Sequence, residues 1–316
     1  MNAAGVDVGG TKIAAAVVSP AGELLAEARH PTPHSSEKLV EAIVRAIGEV
    51  VEGQEVAGAC LAVPGFVLAR ENKVVVSPNL RAIEGIPLEE RIGPRIGLPL
   101  AIENDASAAA WGEFRFGAGS EVENLVFLTL GTGIGGGIIS HGVLLRGAQG
   151  AGGELGHVTL DPDGPACACG NRGCLEALAS GTAIGRRARE VAVEKPDSAL
   201  GRIASRRKLL GEDVTELARQ GDGAALSVLG ETGRWLGVGL AGFVNTFNPE
   251  VVAVGGGAME AGEYILEPAR RELHLRARSP SRDLAVVQAA TLGPKSGALG
   301  AAALARNAAG EYVLGH

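Results

Sequence analysis

Residues 4–19 read AGVDVGGTKIAAAVVS, two apolar runs joined by a turn that contains two glycines. The small and β-branched residues on either side of Gly9-Gly10-Thr11-Lys12 predict strands over Ala4–Val8 and Ile13–Ser19. A third strand is predicted after the next turn, at Ala21-Gly22. The segment is therefore predicted to form a β-meander with a glycine-rich first turn.

A very similar pattern recurs later in the chain. The run Asn124–Leu130 is followed by Gly131-Thr132-Gly133 and by a second apolar run, Gly136–Ser140. Each meander precedes a helix-like stretch and then another apolar strand. These helix and strand pairs are predicted at Glu37–Val51 with Val56–Val63, and at Gly223–Phe247 with Glu250–Val254. Two related α/β halves that face each other across a cleft are the simplest architecture for such a repeat.

The predicted helix Gly223–Phe247 has two sets of residues at informative positions. Its apolar residues fall near helical spacing and are predicted to lie in the core: Leu226, Leu229, Leu236, Leu240 and Phe243. Its glycines would weaken an isolated helix: Gly230, Gly233, Gly237, Gly239 and Gly242. We expect these glycines to mark close packing of the helix backbone on another element.

Composition narrows the class of protein. The 316 residues are 46% hydrophobic, enough for a sizeable core, and the length suggests two domains. A net charge of -7 argues against a broad nucleic-acid surface, because phosphate backbones attract basic patches. Asp7 interrupts the first apolar run and no basic stretch precedes it, so we expect no signal peptide and a cytoplasmic protein. Residues 125–145 lack charges, but their glycines and the His141-Gly142 turn favour a buried hairpin over a membrane span.

The glycine turns do not match two common phosphate motifs. Gly5–Thr11 places Thr11 where a P-loop requires lysine, and a strand follows it. Gly131, Gly133 and Gly136 have the spacing of a dinucleotide-binding motif, but the residues after them predict a strand and a turn. No helix N-terminus is therefore predicted there to bind pyrophosphate.

A glycine turn between two strands can still present backbone N–H groups to phosphate oxygens. We therefore predict that the two turns together hold the phosphates of a nucleotide. Thr11, Lys12 and Thr132 would add hydroxyls and one positive charge. Asp7, just before the first turn, would hold a hydrated Mg²⁺ near the phosphates, since Mg²⁺ keeps several waters and uses few protein ligands.

A metal site is predicted from the cysteines. Cys167, Cys169 and Cys174 lie within eight residues, and His157 lies ten residues upstream. Three thiols and one imidazole complete a tetrahedral zinc shell, which leaves no open position and so predicts structural Zn²⁺. Disulfides are disfavoured by the odd local count and the Cys-x-Cys spacing. Cys60 lies in an apolar strand and is predicted to be a core thiol.

Polar residues beside these ligands suit a polyhydroxylated substrate. Glu154 precedes His157 by three residues, and Glu176 follows Cys174 by two. If zinc binds one ring nitrogen of His157, the other nitrogen carries the proton and can donate a hydrogen bond.

Asp105 follows a predicted strand, Pro99–Glu103, and precedes an alanine-rich helix. We expect it to cap that helix. In a kinase it could also accept a proton from an attacking hydroxyl group.

These motifs resemble the ROK sugar kinases, a family named for repressors, open reading frames and kinases. The matching segments are Asp7–Lys12 (DVGGTK), Glu103–Ala106 (ENDA), Gly131–Gly137 (GTGIGGG), Glu154–His157 (ELGH), Cys167–Glu176 (CACGNRGCLE) and Gly255–Gly257. The stretch Glu103–Gly119 is similar to bacterial glucokinases of this family.

The resemblance implies an α/β, two-domain, actin-like and RNase H-like fold with an interdomain cleft. It implies a small domain of residues 1–117 plus 298–316, to which a last helix near Ala298–Ala309 returns, and a larger domain of residues 118–297 that carries the zinc loop. It also implies ATP with Mg²⁺ as phosphoryl donor and the 6-hydroxyl of glucose as acceptor.

Residue roles carry over by position in the same motifs. Asp105 would be the catalytic base, and Gly256 and Gly257 would approach the nucleotide with Asp7, Gly9, Gly10, Thr11, Lys12, Gly131, Thr132 and Gly133. The sugar would be held by Gly65, Asn79, Asn104, Asp105, Glu154, His157 and Glu176. The resemblance further implies a homodimer or homotetramer.

Several alternatives stay open. Another hexose (mannose, fructose or an N-acylhexosamine) could be the acceptor, because pocket shape cannot be read from one chain. Polyphosphate could replace ATP, and a non-catalytic sugar-sensing protein would keep Glu154 and His157. The DVGGTK motif begins at residue 7, so we expect no preceding helix-turn-helix domain of the repressor type. A zinc-containing nicotinamide oxidoreductase would need a helix after Gly136 and an open zinc position, and neither is predicted.

Overall fold

The computed structural model describes residues 1–68 and 71–306. The chain forms two compact units. Unit 1 comprises Met1–Glu123, Gly137–Gly153 and the chain from Thr291 onward, and unit 2 comprises Asn124–Gly136 and Glu154–Ala290. The end of the predicted last helix and of the predicted small domain, residues 307–316, lies outside the described residues. The predicted domain boundaries at 117/118 and 297/298 stay a prediction.

The first sheet grows from the meander around the first glycine turn. Its strands and the adjoining short hairpin are β1 (Asn2–Val8), β2 (Lys12–Val18), β3 (Leu24–Pro31), β4 (Val56–Val63), β5 (Phe66–Leu68), β6 (Lys73–Val76) and β7 (Leu100–Asn104). The five long strands have the order β3-β2-β1-β4-β7, and β5 and β6 form a separate two-stranded sheet. The meander strands are antiparallel, whereas β4 runs parallel to both β1 and β7.

Three helices accompany this sheet. Helix α1 (Ser36–Val51) follows β3, α2 (Leu88–Ile96) precedes β7, and α3 (Asp105–Phe116) follows β7. Leu39, Ile43 and Ile47 recur every four residues on α1 and are fully buried, as a core-facing helical stripe requires. In the sheet, Val6 lies beside Leu61 in the parallel register of β1 and β4, and both are fully buried.

The second sheet repeats this topology. Its strands are β8 (Leu125–Leu130), β9 (Ile134–Ser140), β10 (Val143–Leu144), β11 (Val251–Gly255) and β12 (Val286–Ala289), in the order β10-β9-β8-β11-β12. As in the first sheet, a meander is extended by two parallel strands. The predicted repeat is therefore confirmed, and the uncharged stretch 125–145 forms strands, as predicted. Within residues 1–68 and 71–306, no helix is both long and apolar enough to cross a membrane.

The helices of the later part of the chain are α4 (Leu175–Ala179), α5 (Gly181–Glu194), α6 (Ala199–Ala204), α7 (Gly211–Arg219), α8 (Gly223–Phe247), α9 (Glu263–Arg276), α10 (Ser281–Leu284) and α11 (Ser296–Arg306). The long helix α8 packs on α9 through glycine. A Cβ at Gly233 would lie 2.3 Å from Ile265 O, and one at Gly237 would lie 2.4 Å from Ala269 O.

Two expectations about α8 were too broad. Among the described residues, a Cβ at Gly230 or Gly242 would meet no atom of another element within 4 Å, so these glycines do not mark close packing. Leu226 is 37% exposed, whereas Leu229, Leu236, Leu240 and Phe243 are buried as predicted.

Within unit 1, helix α11 packs backbone to backbone on α3 and β1. A Cβ at Gly300 would lie 1.7 Å from Ala108 O of α3, and one at Gly112 of α3 would lie 2.5 Å from Ser296 O. Gly5 of β1 is just as close, because its Cβ would lie 2.0 Å from Ala298 O. Glycine at these positions sets the separation of α11 from α3 and β1.

Candidate functional site

The first glycine turn joins β1 and β2 in unit 1. Gly9 N donates to Lys12 O (2.9 Å), which closes the turn, while Thr11 and Lys12 are exposed. Gly10 packs against the loop after β6, since a Cβ there would lie 2.9 Å from Asn79 O. The structure therefore brings the predicted phosphate-binding turn together with Asn79.

Asp7 lies in β1, beside the turn, and its carboxyl group is largely buried. Burial raises its pKa above the ordinary value of 3.8, and the charge of Lys12 opposes that shift. The first turn of α11 covers the carboxylate, because a Cβ at Gly297 would lie 2.9 Å from Asp7 Oδ2. A buried carboxylate whose ionised form is disfavoured is stabilised by a nearby cation.

The start of α3 corrects the predicted helix cap. Asn104 has extended backbone angles and is the N-cap, and its Oδ1 accepts from Ser107 N at 3.0 Å. Asp105 is already the first helical residue, and its Oδ1 accepts from Ala106 N at 2.8 Å. The expectation that Asp105 caps α3 was therefore wrong, because a cap residue must precede the first helical backbone angles.

Asn104 also reaches the loop before β5. Its Nδ2 donates to Gly65 O at 3.0 Å. Gly65 has φ +105, and a Cβ there would lie 2.1 Å from Val76 O, so only glycine fits. Two predicted sugar-site residues, Gly65 and Asn104, are thus hydrogen-bonded to each other in unit 1, and Asp105 follows Asn104 directly in the chain.

A buried ion pair beside this group was not predicted. Arg146 Nε donates to Glu103 Oε2 at 2.6 Å, and the Glu103 side chain is 3% exposed. Glu103 Oε1 accepts from Asn104 N at 3.0 Å. Burial, followed by the charge of Glu103, raises the pKa of the Cys60 thiol, which is fully buried as predicted. The charged character of Glu103 and Arg146 was visible in the sequence, but their pairing depends on the fold.

The predicted metal ligands converge in unit 2. Single ligand atoms from His157, Cys167, Cys169 and Cys174 all lie within 4.8 Å of one another. Cys169 Sγ and Cys174 Sγ are 3.8 Å apart, and Cys167 Sγ and His157 Nδ1 are 3.7 Å apart. A tetrahedral zinc with Zn–S bonds of about 2.3 Å has sulfur–sulfur edges of about 3.8 Å. The donor set and its spacing therefore fit Zn²⁺.

The thiols in this cluster differ in acidity. Burial raises the pKa of Cys167 to about 12 and also raises that of Cys174. The hydrogen bond from the Asn171 backbone lowers the pKa of Cys169. A metal ion that binds here must displace the thiol protons, because the thiolate is the ligand.

Two carboxylates flank the cluster. Glu154 Oε2 lies 3.9 Å from His157 Nε2, the ring nitrogen that points away from Cys167. Glu176 contacts the second glycine turn instead: its Oε2 accepts from Ile134 N at 2.9 Å, and its Oε1 lies 3.4 Å from Cys167 Sγ. The cluster thus brings both predicted carboxylates to one part of unit 2.

The second glycine turn is anchored by the start of α5. Gly181 N donates to Gly131 O at 2.8 Å, and Thr182 Oγ1 donates to Thr132 O at 2.7 Å. A Cβ at Gly256 would lie 2.3 Å from Leu130 O, so the end of β11 packs tightly beside the same turn. As predicted, a strand and not a helix follows the turn.

A cavity of about 370 Å³ opens beside this turn. It is lined by Gly131, Thr132, Gly257, the start of α5 and residues 208–212. Ile184, Leu209 and Leu210 supply apolar walls, Lys208 and Arg189 supply positive charge, and Glu212 and Glu260 supply negative charge. Sequence reasoning found the glycines of this cavity but missed Thr182 and residues 208–212, because separate chain segments form its walls.

The ROK family model matches residues 3–308. This chain belongs to the ROK family, and the predicted resemblance and fold class are confirmed.

A glucokinase of Streptomyces coelicolor is 40% identical over 307 residues, which cover 96% of each chain. The crystal structure of a ROK family glucokinase from Streptomyces griseus, in complex with glucose and AMPPNP, is similar with a TM-score of 0.84 at 40% identity. The match covers 97% of this chain and 100% of that one. A ROK family transcriptional regulator is similar with a TM-score of 0.87 at 26% identity, over 98% of this chain and 78% of the regulator.

Proposed function

We propose that this chain is an ATP-dependent hexokinase that transfers the γ-phosphoryl group of ATP to the 6-hydroxyl of glucose. One observation carries the proposal: 40% identity over 97% of the chain to a glucokinase crystallised with glucose and an ATP analogue. The cavity beside the second glycine turn and the His/Cys cluster beside Glu154 and Glu176 support it.

ATP is assigned to the glycine turns and the cavity. The cavity has the apolar walls that a purine base requires, and Gly131–Gly133, Gly256 and Gly257 line or adjoin it. Gly9, Gly10, Thr11 and Lys12 would contact the phosphates by backbone N–H groups and one ammonium group. Mg²⁺ would bind with ATP and neutralise phosphate charge, and the buried carboxylate of Asp7 would be stabilised by it.

The His/Cys cluster is assigned to structural Zn²⁺, which would fix the loop and offer no catalytic position. His157 would bind through Nδ1, the nitrogen that faces Cys167, so Nε2 would carry the proton. Nε2 would then donate to a sugar hydroxyl, while Glu154 and Glu176 would accept from sugar hydroxyls. Gly65, Asn79 and Asn104 are the proposed sugar contacts of unit 1.

Asp105 is the proposed catalytic base. Its carboxylate would accept the proton of the 6-hydroxyl as that oxygen attacks the γ-phosphorus and the bond to ADP breaks. Its Oδ1 accepts from Ala106 N at 2.8 Å, which orients the carboxyl group at the start of α3. Positioning of the hydroxyl and neutralisation of phosphate charge would supply most of the rate.

The test is ATP-dependent phosphorylation of a hexose panel: glucose, mannose, fructose and N-acylhexosamines. Wild type is expected to prefer glucose. Asp105→Asn should lower kcat by about 10²- to 10⁴-fold, because the general base is lost. Asp222→Asn is the matched control, since Asp222 caps α8 through Ala224 N and Ala225 N and asparagine caps equally well. Turnover of Asp105→Asn within a few-fold of wild type would refute the assigned base.

A sugar-responsive regulator without kinase activity is the second candidate, favoured by the likeness to a ROK transcriptional regulator. It predicts sugar binding by calorimetry with no phosphoryl transfer to any hexose. Transfer to glucose by wild type would reject it. The same panel decides between glucose and another hexose as acceptor.

A further inference from the structure

Glu176 occupies a position between two parts of unit 2. It lies in the first turn of α4, two residues after the predicted ligand Cys174. Its Oε2 accepts from the backbone N–H of Ile134 at 2.9 Å. Ile134 begins β9 directly after the turn Gly131-Thr132-Gly133.

The two glycines of that turn differ in their surroundings. A Cβ at Gly133 would lie 2.2 Å from Glu176 Oε2 and 3.1 Å from its Cδ, so the carboxylate fills the space beside Gly133. A Cβ at Gly131 would meet no atom within 4 Å. Gly133 is thus required for the approach of Glu176, whereas Gly131 borders the cavity.

Both ends of the turn are held by hydrogen bonds. Gly131 N donates to Gly133 O at 2.9 Å inside the turn, and Ile134 N donates to Glu176. A carboxylate repels phosphate, so Glu176 cannot favour ATP by direct contact. Its bond to a backbone N–H is charge-assisted and directional, and this bond fixes the shape of the turn.

We propose that Glu176 is a positioning residue for the phosphate-binding turn and that it couples the metal loop to ATP affinity. The proposal rests on the proposed function, in which this turn binds ATP. Glu176 lies on α4, whose N-cap is the ligand Cys174, and its Oε2 accepts from Ile134 N. One side chain therefore joins the loop assigned to sugar with the turn assigned to nucleotide, and ATP binding depends on it even when no sugar is present.

The experiment measures the dissociation constant of MgATP by calorimetry in the absence of sugar. Glu176→Ala should raise it by about tenfold, because a hydrogen bond to a charged group is lost. Gly133→Ala should raise it similarly by displacing the carboxylate while all four metal ligands remain. The double variant should bind no more weakly than the weaker single variant, since both changes break the same contact.

Two further variants sharpen the result. Glu176→Gln keeps an oxygen that can accept from Ile134 N and should recover most of the ATP affinity. Gly242→Ala, in α8 where the added Cβ meets no atom within 4 Å, should bind MgATP as wild type does. Zinc content is measured on every preparation and should be unchanged in Gly133→Ala.

A role of Glu176 in sugar binding alone predicts a different outcome. Glu176→Ala would then lose glucose affinity but keep the wild-type dissociation constant for MgATP, and this result would overturn the proposal. Additive effects of Glu176→Ala and Gly133→Ala would also overturn it. Failure of the proposed function is distinguishable, because wild type would then transfer no phosphate to any hexose.

Discussion

Replacing Gly300 by alanine should separate α11 from α3 and lower both stability and turnover. The added Cβ would lie 1.7 Å from Ala108 O and 2.7 Å from Gly112 N. These are backbone atoms inside a helix, so they cannot rotate away as the end of a flexible side chain can. To reach an ordinary contact of 3.4 Å from 1.7 Å, the helices must move apart by about 1.7 Å.

The substitution Gly300→Ala should affect both the free energy of unfolding and kcat. Overpacking of this kind destabilises by about 1–3 kcal/mol, while alanine regains about 1 kcal/mol of helix propensity over glycine. Since the overlap at Gly300 is severe, we expect a net loss near the upper end, about 2 kcal/mol. Asp105 begins α3, so the shift also moves the proposed base, and a displacement of about 1 Å can cost about 10²-fold in kcat.

Urea unfolding and steady-state kinetics measure the two effects. Gly242→Ala is the control for glycine-to-alanine change in a helix, and it should raise the free energy of unfolding by up to about 1 kcal/mol. MgATP affinity of Gly300→Ala should fall less than kcat, because the cavity is lined by unit 2 residues, whereas the proposed base lies on α3 itself. Stability and activity of Gly300→Ala equal to those of wild type would show that close packing of α11 on α3 does not require glycine at this position.

Three other predictions follow from buried groups. Asp7→Asn should raise the free energy of unfolding at about pH 7, because burial raises the pKa of Asp7 and its ionised form therefore destabilises the folded state above the ordinary pKa. This gain in the free energy of unfolding should shrink as the pH falls toward 3.8. Kinase activity of the variant should drop. Chelation should release one zinc ion per chain and make three thiols reactive to a colorimetric reagent, whereas Cys60 should react only on unfolding. Arg146→Met should cost about 3 kcal/mol by leaving Glu103 buried and unpaired, and Glu103→Leu in the same chain should recover most of the loss by urea unfolding.

Regular elements followed closely from sequence periodicity. The helix Gly223–Phe247 and the strand Val56–Val63 were predicted with the boundaries that the structure shows. Both are long or strongly apolar segments, and clear turn residues bound them. The cluster of His157 and three cysteines was equally predictable from the sequence, because its ligands lie close together along the chain.

Features that join distant segments were missed. The Glu103–Arg146 pair spans 43 residues, and nothing local distinguishes a buried charge from a surface one. The cavity walls near Lys208 come from a segment whose charges resemble a solvated face. The cap of α3 was assigned to Asp105 in place of Asn104, because neighbouring Asn and Asp both suit a cap and only the backbone angles separate them.

The backbone contact between β1 and α11 bears on how the chain folds during synthesis. Gly5 meets Ala298 and Ala302, and Gly58 of β4 meets Ala305, so one face of the first sheet is completed by residues that leave the ribosome long after the strands of that sheet. Such contacts raise contact order and slow folding. A nascent chain that has not yet reached α11 presents an open apolar sheet face, which is prone to aggregation and suited to chaperone binding. Unit 2, which includes Glu154–Ala290, does not contain α11. This unit can therefore become compact before the first sheet does, although the strands of that sheet are synthesised earlier.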